Sequence, residues 1–171
     1  MFKDDLLKGK KILVTGGGTG LGKEMSQHYI QHGAEVVICG RRESVLADTA
    51  AEFKDKYDAS VRFQPLDIRS PQDVEDFVET IFQEGPLHGL VNNAAGNFIS
   101  PTKDLSARGF DAIANIVFHG TFYVTNAVGK KWLEQNIKGS IISILATWVW
   151  TGSPYAVSYT PLRAHETTDN R

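Results

Sequence analysis

The sequence predicts an α/β fold, a doubly wound parallel sheet with helices on both faces. Three observations predict it. Five short apolar, β-rich runs alternate with longer segments of helical periodicity. The first run stops at a glycine cluster, Thr15–Gly22 (TGGGTGLG), that opens directly into a helical segment. Strands joined through helices run parallel, and right-handed crossovers then give the order 3-2-1-4-5.

Taken in order, Lys11–Thr15 (KILVT) reads as a buried strand because the apolar run ends at glycine. From Gly20 to His32, Leu21, Met25, Tyr29 and Ile30 recur at helical spacing, and Gly33 comes next as a C-terminal cap. Glu35–Cys39 (EVVIC) is the second strand, and a helix runs from about Ser44 to Tyr57. Val61–Leu66 (VRFQPL) is the third strand. Ser70 as N-cap, Pro71 at the first helical position and a closing Gly85 frame the next helix. His88–Ala94 (HGLVNNA) and Ile141–Leu145 (IISIL) give strands four and five. Between them one long helix is expected, from about Ser106 to Gln135, with Phe110, Ile113, Ala114, Val117, Phe118, Thr121, Val124 and Val128 on one face.

Composition narrows the function classes. The 171 residues suit one domain with a real core, and 42% hydrophobic with 22% charged residues is ordinary for a globular chain. A formal net charge of −2 supplies no global basic field for nucleic acid or an anionic membrane. The single cysteine, Cys39, excludes an internal disulfide and a cysteine-based zinc site, and fits a reducing compartment, with the cytoplasm as the expected location. The first residues, MFKDDLLKGKKILVTGG, carry acids at once and read as neither a signal peptide nor a membrane span.

Two stretches carry the binding chemistry. A glycine-rich link between a first strand and a helix lets backbone approach a pyrophosphate, whose charge meets the helix N-terminus. At the end of the second strand, where binders of NAD usually place an acid, stand Gly40, Arg41 and Arg42. Two guanidiniums can clamp a 2′-phosphate, so NADP is the expected cofactor. His28 and His32 have metal-ligand spacing, but no acid lies between them and no third ligand is evident, so they read as a solvated helix end.

Thr15–Gly22, Asp67 after the third strand, Asn92–Gly96 (NNAAG) after the fourth and Asn115 in the long helix together resemble the short-chain dehydrogenase/reductase family, with its Rossmann-like fold. The resemblance covers about Lys8 to Ala156. NNAAGNFISP (Asn92–Pro101), NIVFHGTF (Asn115–Phe122) and ATWVWTGS (Ala146–Ser153) resemble its 2,4-dienoyl-CoA reductase branch, which uses NADPH to reduce conjugated dienoyl thioesters in unsaturated fatty acid breakdown. The resemblance implies that Thr15, Gly16, Thr19, Gly20, Leu21 and Gly22 line the cofactor phosphates. It implies that Arg41 and Arg42 hold the 2′-phosphate and that Asp67 and Ile68 flank the adenine. Asn93, Ala94, Ala95 and Gly96 would pass beneath the ribose and nicotinamide. Asn97 would donate to the thioester carbonyl of an acyl-CoA substrate, and Asn115 would order a water and the catalytic lysine. A homo-oligomer, a tetramer by resemblance, would assemble through the long helix and its successor. Alternative substrates within the family are enoyl-CoA and 3-oxoacyl compounds, and a non-catalytic NADP-binding module is the reading from a different class.

The resemblance breaks near the end. Tyr159 and Arg163 mimic a Tyr-x-x-x-Lys pair, but the serine expected thirteen residues earlier is Ala146. Aligned on Thr151–Ser153, the branch's tyrosine falls on Trp148, its serine on Tyr159 and its lysine on Arg163. An indole N–H is no proton source, and a guanidinium stays charged. Pro161 would break the helix that should come next. The expectation is therefore an incomplete cofactor-binding and catalytic domain over residues 1–157, an irregular and non-native tail over 158–171, and no turnover by the chain as it stands.

Overall fold

The computed structural model describes residues 2–97 and 100–146. Five strands, β1 (Lys11–Thr15), β2 (Glu35–Gly40), β3 (Arg62–Pro65), β4 (Gly89–Asn92) and β5 (Ser140–Ser143), form one sheet in the order β3-β2-β1-β4-β5. Every pair is parallel, with Ile12 opposite both Val36 and Gly89, and Asn92 opposite Ser143. Helices α1 (Gly20–Gln31), α2 (Glu43–Tyr57), α3 (Pro71–Gln83), α4 (Ala107–Ala114) and α5 (Thr121–Glu134) supply the crossovers. This is the doubly wound fold expected from the strand–helix rhythm.

Strand alternation divides the core into two layers. Ile12, Val14, Val36, Ile38 and Val91 point to the side where Leu46 and Phe53 of α2 pack. Leu13, Val37, Cys39 and Leu90 point to the other side, against Val74, Phe77, Val78 and Ile81 of α3 and Val124, Val128 and Trp132 of α5. Pro71 begins α3 and the Ser70 hydroxyl accepts from the Asp73 N–H, as the N-cap reading requires. The Trp132 indole donates to the Leu87 carbonyl at 2.7 Å, tying α5 to the start of β4.

The single long helix expected over 106–135 is instead interrupted. Residues Asn115–Gly120 form a π-helix between α4 and α5. A π turn bonds five residues back rather than four, so it widens the helix and rotates the residues beyond it. Phe118 therefore points outward, 43% exposed, while Gly120, Ala127 and Trp132 join the buried face. Phe110, ahead of the wide turn, is also half exposed, because α4 buries only Ile113 and Ala114. Strand β5 starts one residue before the expected Ile141 and ends at Ser143. It is the outer strand of the described sheet, and Ile141 and Ile142 are exposed.

At the N-terminal end of the sheet, a histidine completes the β1–β4 ladder. The His88 N–H donates to the Lys11 carbonyl at 2.8 Å, and the Lys11 N–H donates to His88 Nδ1 at 3.1 Å. Nδ1 can accept only when it carries no proton, so the fold requires the neutral ring. Burial, then the charges of Lys10 and Lys11, hold the His88 pKa below its ordinary 6.5, with Glu35 opposing them. A depressed folded pKa gives stability that is complete above the unfolded value and is lost as pH falls through the folded one. Urea titrations at pH 7.5 and 5 should show the native chain losing stability relative to His88→Asn, whose amide oxygen accepts without titrating. Parallel pH profiles for the two proteins would contradict this role.

Candidate functional site

The site lies at the carboxyl ends of β1 and β4, where the crossovers leave the sheet in opposite directions and a crevice opens. Thr15, the last residue of β1, is 1% exposed and ties the two strand ends together. Its hydroxyl accepts from the Asn93 and Ala94 N–H groups, both at 3.0 Å, and donates to the Val91 carbonyl at 3.4 Å. The Asn93 amide returns the contact, donating to the carbonyls of Thr15 at 2.9 Å and Gly16 at 3.3 Å.

The glycine loop is clamped on its other sides as well. The Gly16 and Gly17 N–H groups donate to the Cys39 carbonyl at 2.8 and 3.3 Å, and Thr49 of α2 donates to the Gly18 carbonyl at 2.8 Å. Side chains are excluded where the chain folds on itself. A Cβ on Gly16 (φ +67°) would sit 3.0 Å from Ala94 Cα, and one on Gly22 would sit 2.3 Å from the Gly16 oxygen. Thr19 precedes α1 without a side-chain cap, and the first turn of α1 holds no acid. The helix thus presents unpaired N–H groups and its positive end, the two features that hold a phosphate.

These elements enclose a cleft of about 280 Å³. Of the residues expected to hold a cofactor, Gly16, Thr19, Arg41, Arg42, Asp67, Ile68, Asn93, Ala94 and Ala95 line it. Thr15 and Gly22 are buried beneath the loop. Leu21 is 67% exposed, and Gly20 (φ +54°) has open space where a Cβ would be. Gly96 packs on Ile116. Asn97 is exposed on the loop after β4, and Asn115 is the exposed first residue of the π-helix, one position before the cleft residue Ile116. Trp148, Tyr159, Arg163 and the Thr151–Ser153 anchor lie outside the described residues, as does the tail over 158–171.

At the far end of the cleft, Arg41 and Arg42 form no ion pair among the described residues. Arg69 does pair, holding the Asp67 carboxyl below the usual carboxylate range. Cys39 lines the cleft, but burial pushes its thiol up to about 12, so it is no nucleophile near neutral pH. His28 contacts Glu24 at 3.4 Å and its carbonyl meets His32 Nδ1 at 2.8 Å. No group of three or more His, Cys, Asp or Glu suited to a metal occurs among the described residues. Sequence reading missed Val45, Leu46 and Ile116 as cleft walls. Val45 and Leu46 could have been found, since they lie in the first turn of the helix after β2. Ile116 lies in the π-helix.

A glycine-cradled crevice at the switch point, closed by arginines at the end of β2, defines a protein of the Rossmann dinucleotide-binding class. The chain belongs to the short chain dehydrogenase family, whose model matches residues 10–161. It is 34% identical over 142 residues to a probable 2,4-dienoyl-CoA reductase of Bacillus subtilis, covering 82% of this chain and 56% of that protein. It is 37% identical over 172 residues to a peroxisomal 2,4-dienoyl-CoA reductase of Arabidopsis thaliana, covering 95% and 57%. Among solved structures, a short chain dehydrogenase from Bacillus anthracis superposes with a TM-score of 0.86 at 38% identity, covering 91% of this chain and 64% of that one. An actinorhodin polyketide ketoreductase solved with NADPH superposes with a TM-score of 0.85 at 28% identity, covering 91% and 60%. The chain spans about half the length of the curated relatives it matches.

The Thr15 hydroxyl is the testable joint of this site. Thr15→Val keeps the shape and removes the oxygen that accepts from the Asn93 and Ala94 N–H groups. Urea denaturation should show a loss of about 1–3 kcal/mol, and Thr15→Ser should recover most of it. Equal stability of the valine and native forms would contradict the joint.

Proposed function

We propose that the whole protein is an NADPH-dependent reductase of 2,4-dienoyl-CoA thioesters and that the described residues form its cofactor-binding part. The observation that carries the cofactor choice is the pair Arg41 and Arg42 on the cleft wall, with no carboxylate paired to either among the described residues. The pattern of bound groups comes from the residues. Backbone from Gly16 to Gly22 and the α1 N-terminus take the pyrophosphate. Arg41 and Arg42 take the 2′-phosphate as charge-assisted donors. Ile68 gives the adenine an apolar wall, and Asn93 to Gly96 run under the ribose and nicotinamide.

The names of the relatives support the substrate class, as does the NNAAGNFISP stretch in the sequence. NADPH, when bound, supplies a hydride to the far end of the diene. Asn97 donates from its amide to the thioester oxygen as negative charge develops there, the point at which a fixed donor lowers the barrier most. Asn115, the first residue of the π-helix, orders a water beside the position where the family has its lysine. The protonating acid is the missing part: Trp148 and Arg163 stand at the tyrosine and lysine positions. That substitution favours a second reading, a module that binds NADP without turnover. No described helix is long and apolar enough to cross a membrane, and we place the reaction in the cytoplasm, although some relatives are peroxisomal. A homo-oligomer is proposed for the whole protein.

Fluorescence titration of the chain with NADPH and NADH tests the cofactor assignment. NADPH should bind more tightly, and Arg41→Ala/Arg42→Ala should weaken it by roughly 10- to 100-fold, the range for hydrogen bonds to charged groups, while leaving NADH nearly unchanged. Equal binding of the two cofactors would refute the assignment. A dienoyl-CoA assay then tests the acid. The chain as it stands should consume no NADPH, and turnover would show that Trp148 and Arg163 do not disable it.

A further inference from the structure

We infer that Arg69 is a positioning residue for cofactor choice: by occupying both oxygens of Asp67 it keeps Arg41 free for the 2′-phosphate of NADPH. The inference rests on the NADPH reading of the cleft. Among the described residues lining that cleft, Asp67 is the one carboxylate, and Arg41 and Arg42 are the two cations. A free carboxylate there acts against a 2′-phosphate twice. It repels the phosphate directly, and it offers Arg41 a competing partner.

The structure gives Asp67 a different partner. Arg69 Nε donates to Oδ1 at 2.9 Å and to Oδ2 at 3.0 Å, Nη2 donates to Oδ2 at 2.5 Å, and the Arg69 backbone N–H donates to Oδ1 at 3.1 Å. Three N–H donors thus hold the two carboxylate oxygens, the single Nε–H shared between them, in the forked geometry of a guanidinium. Arg69 dominates the charge state of Asp67, and Arg41 exerts the weakest of the pulls on it. The two residues sit on the turn between β3 and α3, where the Ser70 N–H donates to the Asp67 carbonyl at 3.0 Å and fixes their separation. Arg69 is thus separated from the cleft lining by its partner and acts on the nucleotide through Asp67.

The test is a set of titrations of the full chain with NADPH and NADH, alongside a thermal melt for each variant. Arg69→Ala should weaken NADPH by roughly three- to fivefold, the scale set by half-exposed ion pairs, with NADH unchanged. Adding Asp67→Asn to that variant removes the freed charge and should restore the native ratio of NADPH to NADH affinity, whatever the change beside the adenine costs both cofactors alike. Equal weakening of both cofactors by Arg69→Ala, or a lowered ratio that persists in the double variant, would overturn the inference and mark Arg69 as structural. A native preference for NADPH that Arg69→Ala leaves undiminished overturns this inference alone. A native chain without any preference overturns the NADPH reading and this inference with it.

Discussion

The hydroxyl of Thr15 joins the ends of the two strands between which the site opens. The register of parallel strands β1 and β4 ends at Val14 and Val91, where their crossovers leave on opposite faces, so the site needs a further link at the strand ends. Thr15 supplies that link by accepting from Asn93 and Ala94 and donating to Val91. The Asn93 amide then fastens the glycine loop to the same point. Gly16 and Gly22 let the loop close tightly over this joint, and the α1 N-terminus comes to face the cleft. A buried hydrogen-bonded knot of this kind is costly to leave half made, which is why its members act as a unit.

From that joint the cleft divides by chemistry. Near the glycine loop the binding groups are backbone N–H donors, which read charge and shape but not cofactor identity. At the end of β2 they are side chains, Arg41 and Arg42, and under the proposed function it is their positive field that selects the nucleotide. Asp67 is an acid placed among these cations, and it is paired with Arg69.

Much of this is legible in the sequence because the fold is written in local patterns. Apolar runs of four to six residues, Ser70–Pro71 before α3 and Gly85 after it, and the position of the glycine loop are enough to set out the strands, their order and the cleft. The features that stay hidden depend on packing. The π turn over Asn115–Gly120 leaves the apolar periodicity almost intact, so Phe118 reads as buried until the wide turn rotates it outward. Ile116, in the same π-helix, lines the cleft. Thr15 reads from the sequence as a phosphate-lining residue, but its side chain lies beneath the loop, because tertiary hydrogen bonds carry no sequence period. Arg69 has the look of an ordinary turn residue, and its forked contact with Asp67 exists only once the turn is folded.

If the end of β2 selects NADPH, the bound nucleotide must show it, and a crystal structure of the chain grown with NADPH is the decisive measurement. The 2′-phosphate should lie between the Arg41 and Arg42 guanidiniums, with the pyrophosphate on the N–H groups of the glycine loop and Asp67 still paired with Arg69. A nucleotide bound with its 2′-phosphate turned to solvent, away from both arginines, would contradict selection by these residues.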